Sequence, residues 1–330
     1  MKRSWKILFI LSFCFIFSCK GSDDVIEKRP FQVDLDSIKY ALDIFWNKTS
    51  CQNPFSDRIE AMSIIQKAAD SYSNLQFHQY LSSTDTVKCR EEESSGILYY
   101  FKSAFDKVNK EIRETKIEKG TIVIWQLYNM GYIVKTPTQC FGIDIMHKYG
   151  HLLADQIDFL LITHHHGDHY TNSIVEEMTK RGKPVVSNFI NNKYKVSGSK
   201  KLKFNDIIIH TNLADHNKTL LNFVVTYKID CGSSTHNFTI FHIGDTYNAD
   251  QLKPNGKVDL FIPHLAVGLD MQKAIAIVQP KEIFMSHILE LGHAINKWRW
   301  SYQYGINECN KLNWHNVWLP VWGEKIILKK

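Results

Sequence analysis

The chain has no C-x-x-C pair, no heptad run, no low-complexity tract and no self-similar repeat. These absences exclude cysteine-based zinc and dithiol redox motifs, coiled coils and solenoids. No basic stripe with interleaved aromatics is present, and the formal net charge of +6 is small for 330 residues, so nothing argues for nucleic-acid binding. The apolar run ILFILSFCFIF (Ile7–Phe17) is too short for a stable membrane span, which needs about 20 residues. What remains is ordinary for a globular protein: 44% hydrophobic and 22% charged residues, with length enough for a substantial core.

The short apolar run has its own meaning. Lys2, Arg3 and Lys6 precede it and Ser18-Cys19 end it, the order of a secretory signal. Ile16-Phe17-Ser18-Cys19 resembles a bacterial lipobox, which implies cleavage before Cys19 and lipidation of its thiol. Lys20 and the polar GSDD then read as a tether. Residues 1–18 are thus expected to be a lipoprotein signal peptide, leaving a chain anchored through Cys19 at the outer membrane, periplasmic side or cell surface. Loss of Lys2, Arg3 and Lys6 would lower the net charge to +3. Five cysteines follow Cys19, namely Cys51, Cys89, Cys140, Cys231 and Cys309, an odd number for an oxidising compartment. Cys51 and Cys89, in one N-terminal segment, are the expected pair.

Residues 19–118 read as a tether and helical region. Ile59, Met62, Ile65, Ala69 and Tyr72 recur at three- and four-residue steps, as do Leu98, Phe101, Phe105, Val108 and Ile112. Both stripes are expected packing faces. The texture changes at Gly120. From there TIVIWQL, GYIVKT, FLLIT, KPVVSNF, DIIIHT, LNFVVTYKI, FTIFHIG, VDLFIPH, EIFMSH and EKIIL alternate with helical stretches such as SIVEEMTKR and MQKAIAIVQ. That alternation predicts an α/β layered domain over residues 119–330.

In LLITHHHGDHYTNS (Leu160–Ser173), four histidines and an aspartate crowd a strand-to-helix loop, with Thr171-Asn172 as the helix start. The carboxyl end of a strand is where α/β folds keep their ligands. His164 and His166, two apart in extended chain, share a side, and His165 points away. Asp168 and His169 follow at the turn and reach a second position, the separation a two-metal site requires.

The pattern His164-x-His166-x-Asp168-His169 after a strand resembles the signature of the metallo-β-lactamase superfamily. LADHN with His216, FHIGDTYN with Asp245 and KEIFMSHILE with His287 supply that family's later positions in order. IWQLYNMGYIVKT and FGIDI resemble its opening hairpin and next strand, and LPVWGEKIIL its closing strand. The resemblance implies a four-layer αβ/βα sandwich behind a small helical N-terminal region. It implies His164, His166 and His216 on one divalent ion, Asp168, His169 and His287 on a second, and Asp245 bridging. Neutral imidazoles and carboxylates suit zinc by default, with manganese or iron as alternatives. A hydroxide shared by the ions would attack a small-molecule substrate, with Asp168 also orienting it. Histidine at position 166, where the family's di-iron flavoprotein branch has glutamate, favours hydrolysis over oxygen reduction. The Gly-Asp-Thr context resembles most the branch of L-ascorbate-6-phosphate lactonase and N-acylphosphatidylethanolamine phospholipase D. The expected activity is hydrolysis of an ester or lactone, amide or phosphodiester. The alternatives are an exported β-lactamase and a non-catalytic metal-containing surface binding protein.

Other histidines have blander readings. His210 reads as structural, and His242 as a core or supporting residue. His293 is the rival of His287. His264 reads as a structural histidine fixed in one tautomer, with a substrate contact as the alternative. His147 and His151 read as surface. Trp298, Trp300, Trp314, Trp318 and Trp322 read as packing residues rather than a sugar platform.

Overall fold

The computed structural model describes residues 34–83, 85–216, 222–295 and 297–330, without the side chains of residues 85–89. The signal peptide, Cys19 and the Cys89 side chain lie outside the described residues. Among those described, no helix is long and apolar enough to cross a membrane.

Five helices come first: α1 (Leu35–Asp43), α2 (Ile59–Asp70), α3 (Asn74–Ser82), α4 (Asp85–Ser94) and α5 (Gly96–Glu114). The two expected stripes are buried except for Ile59, which sits exposed at the start of α2. Strands β1 (Thr121–Gln126), β2 (Tyr132–Lys135), β3 (Cys140–Ile143) and β4 (Phe159–Leu161) follow, then α6 (Asn172–Lys180) and β5 (Val185–Val186). Next are β6 (Lys200–Phe204), β7 (Ile207–Asp215), β8 (Phe223–Asp230), β9 (Thr239–His242) and β10 (Leu260–Ile262). The chain ends with α7 (Met271–Val278), β11 (Glu282–Phe284), α8 (Tyr302–Lys311), β12 (Val317–Trp318) and β13 (Lys325–Lys329).

The strands form two sheets, ordered β13-β1-β2-β3-β4-β5 and β12-β11-β10-β9-β8-β7-β6. Successive strand residues point to opposite faces. In β1, Ile122 and Ile124 enter the core between the sheets, while Val123 and Trp125 pack outward under α5 and α6. In β10, Leu260 and Ile262 face inward, and Phe261 packs outward with α7, α8 and the N-terminal helices. Both faces of each sheet are therefore apolar, which is why these strands read as continuous hydrophobic runs. The result is the expected four-layer αβ/βα sandwich. Its N-terminal helices share one core with the second sheet's outer face.

Two strands were illegible for a physical reason. The edge strand β6, KKLKF, carries exposed lysines that protect an open sheet edge and mask the β pattern. β12 has only two residues.

Two expectations are overturned. Cys51 is a free, buried thiol rather than half of a disulfide, and it lies beside Arg58 and Glu324 in the core. His147 is fully buried instead of exposed, stacked between Phe101 and Phe105 at ring distances of 4.0 and 4.3 Å. Its Nε2 bonds the Phe101 carbonyl at 3.2 Å and its Nδ1 accepts from the Tyr149 amide at 3.1 Å.

Burial pushes the His147 pKa down from 6.5 to about 3. Below pH 6.5 only the unfolded chain takes up this proton. The stability is therefore fully present above 6.5 and declines as pH falls toward 3, by about 2 kcal/mol at pH 5. Urea unfolding at pH 7 and pH 5 should show the native protein losing about that much more than His147→Gln. Equal losses would refute the assignment, since the remaining histidines are common to both proteins.

Candidate metal centre

β7 pairs antiparallel with β8 and β8 antiparallel with β9, while β9, β10 and β11 run parallel. The carboxyl ends of β7, β9, β10 and β11 therefore share one edge of the second sheet. There the chain places His216, Asp245, His264 and His287, and the loop after β4 brings in His164, His166, Asp168 and His169.

All seven residues expected from the sequence meet at this edge. Donor atoms of His164, His166, His216 and Asp245 lie within 4.8 Å of one another, as do those of Asp168, His169 and His287. Asp245 stands between the groups. Its Oδ2 is 3.7 Å from both His164 Nε2 and His216 Nε2 and 3.8 Å from His287 Nε2, and its Oδ1 is 3.3 Å from His169 Nε2. Asp168 Oδ2 is 3.2 Å from His287 Nε2 and 3.5 Å from His169 Nε2. His165 turns away and packs on Tyr170 and Phe189.

The loops that hold these side chains are tightly specified. Gly244 adopts φ +55°, and a Cβ there would lie 2.8 Å from Thr163 Cβ, so the glycine of Gly-Asp-Thr lets the Asp245 loop cross the β4 loop. Thr246 Oγ1 donates to the Asp215 carbonyl at 2.8 Å and ties that loop to His216. His287 itself sits at φ +71°, a left-handed conformation that is costly for a side chain and is tolerated where packing over-determines it.

Asp144, read only as part of a strand, has a larger part. Its Oδ1 accepts from the Thr163 amide at 2.7 Å, and its Oδ2 accepts from Thr163 Oγ1 at 2.7 Å and faces His169 Nδ1 at 2.9 Å. It thereby holds His169 with Nε2 turned to the centre. Asn129 Nδ2 donates to Asp168 Oδ2 at 2.8 Å and fixes that carboxylate. A lone acidic residue ending the apolar strand FGI was the available signal for Asp144. Asn129 carried none.

Electrostatics follow the burial. Burial lowers the His164 pKa well below its ordinary value, reinforced by His169. For His169 burial acts downward too, but Asp245, Asp168 and Asp144 outweigh it and hold the ring well above the usual range. Burial would raise the Asp245 carboxyl, yet His169 and His164 bring it well below normal.

The residues fit a cation-binding role. His164 Nε2, His169 Nε2 and Asp245 Oδ1 are buried without a hydrogen-bond partner, each an arrangement costing about 1–3 kcal/mol unless compensated. The N···O gaps between these groups run from 3.2 to 3.8 Å, and most of them exceed the usual hydrogen-bond length. Those of 3.2–3.5 Å match the roughly 3.3 Å edge of a tetrahedron with metal–ligand bonds of about 2.05 Å.

The centre floors a cavity of about 360 Å³ lined also by His264, Ala266, Val267, His293, Trp298 and Trp300. Trp298 is 63% exposed at this cavity. The packing role expected of the tryptophans thus holds for Trp322, stacked on Tyr100 at 4.8 Å, and for Trp300, stacked on Tyr304 at 5.0 Å while also lining the cavity, but not for Trp298. His293 lies 2.5 Å from buried Glu290, which also accepts from Tyr128 at 2.8 Å. His242 is a core residue, bonded through Nε2 to the Met130 carbonyl.

No curated protein matches the chain in sequence. Among solved structures, it is similar to CmlA, a diiron β-hydroxylase from Streptomyces venezuelae (15% identity, 66% of this chain, TM-score 0.46), of whose length it spans 55%. It is also similar to a novel metallo hydrolase from the archaeon Ignicoccus hospitalis (13% identity, 64% of this chain and 99% of that one, TM-score 0.43). A third is the isothiocyanate hydrolase from Delia radicum gut bacteria (14% identity, 63% and 100%, TM-score 0.46). The family described as "Beta-lactamase superfamily domain" matches residues 114–283, just over half of the chain. That span holds β1 to β10, the start of β11 and six of the seven converging residues, all but His287, so the chain belongs to the β-lactamase superfamily and carries its fold.

Proposed function

We propose that the protein is a binuclear metal-dependent hydrolase of an ester or lactone, amide or phosphodiester, exported and lipid-anchored through Cys19. One observation carries the catalytic reading: two groups of buried and half-buried imidazole and carboxylate donors share Asp245 at the floor of an open cavity. His164, His166 and His216 would hold one ion and Asp168, His169 and His287 the other, with Asp245 between them. Zinc fits this donor set by default, and manganese or iron would also be accepted. Bound divalent ions supply Lewis acidity and bring the pKa of water from about 16 to about 7. The chain's own groups do the rest. Asp144 sets the His169 ring, and Asn129 keeps Asp168 turned to the centre, where it can orient the attacking water. Trp298, Trp300, Ala266 and Val267 give an apolar wall for the body of the substrate. The basic residues ahead of Ile7–Phe17 and the lipobox-like Ser18-Cys19 support the export reading.

Elemental analysis of the purified protein should find about two divalent ions per chain, and EDTA should abolish turnover. A panel of lactone, nitrocefin and bis(p-nitrophenyl) phosphate separates the substrate classes, with nitrocefin alone pointing to a β-lactamase. Absence of metal from the wild-type protein would sink the reading.

A further inference from the structure

The histidines of the centre divide by what Nδ1 does, because a ring nitrogen cannot both accept and donate. His169 Nδ1 faces the Asp144 carboxylate at 2.9 Å, so the proton sits there and the Nε2 lone pair is free. His164 Nδ1 faces Thr163 Oγ1 at 3.0 Å. That hydroxyl's own proton is committed to Asp144, so His164 Nδ1 also donates. Both rings have the tautomer of a metal ligand.

His264 has the opposite tautomer. The Ala266 backbone amide, which can only donate, points at its Nδ1 at 2.9 Å. Nδ1 therefore accepts, and the proton lies on Nε2. His147 and His242 share this pattern, with backbone amides at Nδ1, and each passes its Nε2–H to a backbone carbonyl. No such acceptor meets His264 Nε2 among the described residues. Its ring instead stacks on His287 at 4.0 Å, has a nitrogen within 4.8 Å of donor atoms of Asp245 and His287, and lines the cavity.

We infer that His264 is a catalytic hydrogen-bond donor and not a ligand: its Nε2–H meets the substrate oxygen that gains charge during hydrolysis. The inference rests on the hydrolase reading. The attacking water oxygen bonds to the acyl carbon or phosphorus, the bond to the leaving group breaks, and the leaving group takes a proton from the water. His264 keeps its proton throughout and stabilises the oxyanion by position. Ligation through Nε2 would need the proton moved to Nδ1, directly against the Ala266 N–H.

Zinc-loaded, ¹⁵N-histidine-labelled full-length protein tests the tautomer by two-bond nitrogen–proton NMR. An Nε2–H ring is expected for His264, and an Nδ1–H ring would overturn the inference. His264→Phe keeps the ring shape without the donor. It should retain both ions, bind inorganic phosphate at least about tenfold more weakly, and lose about 10²–10³-fold in kcat on the substrate the panel identifies. His264→Gln, which restores an N–H, should recover part of each loss. A His264→Phe protein that lacks one ion, or that binds phosphate as the native protein does, overturns the inference while leaving the hydrolase reading intact. Wild-type protein without metal overturns both.

Discussion

Asp245→Ala is expected to strip most of the metal from the protein, with affinity falling by well over the roughly 100-fold seen when a mere supporting residue is lost. Among the described residues this carboxylate is the only one that approaches both donor groups, with His169 at one oxygen and His164, His216 and His287 at the other. Without it His164, His166 and His216 face one another with no carboxylate in their group, only Asp168 remains beside His169 and His287, and a dication held by the three imidazoles lacks the charge that binds it. Turnover should fall by about 10³-fold or more, because both the nucleophile and the electrophile depend on the ions. The checks are metal per chain after gel filtration and the rise in melting temperature on adding zinc. The native protein should show the rise and the variant should not. A variant that keeps two ions would remove Asp245 from the bridging position.

The largest expected effect on stability lies far from the centre. Arg58 ends the short turn before α2 and Glu324 precedes β13; they form a fully buried ion pair at 2.8 Å, with the guanidinium also 4.9 Å from the Phe45 ring. Glu324 accepts a further bond from the Val321 amide at 2.8 Å. Arg58→Met leaves a carboxylate buried without its cation, which should cost about 3–5 kcal/mol in urea unfolding at pH 7. The double variant Arg58→Met, Glu324→Leu removes both charges and should recover most of that loss. A single-variant loss below about 1 kcal/mol would show that the pair does not join the helical region to the last strand in this way.

How much was legible follows from the range of each signal. Strand and helix stripes depend on neighbours two to four residues away, so Ile122 to Trp125 and Leu98 to Ile112 could be read directly. The histidine motif was legible because its residue types and their order along the chain resemble those of the superfamily. His147 was not: its i, i+4 relation to His151 suggested an exposed helix, whereas its real neighbours are Phe101 and Phe105, over forty residues earlier. Arg58 and Glu324 lie 266 positions apart, and no local pattern links them. The tryptophans looked alike in the sequence. Only packing separates Trp322, stacked in the core, from Trp298 at the cavity.

By itself the sequence determined the layered α/β fold through binary patterning, a local property of the chain, and the seven residues that converge through the order of motifs that resembles the superfamily's. The tertiary structure decided how those residues are used. Asp144 became the partner of His169, and His264 received its tautomer from the Ala266 amide while losing the carbonyl that quiets His147 and His242. These assignments depend on which hydrogen bonds close across strand ends, and that is set only when the two sheets pack.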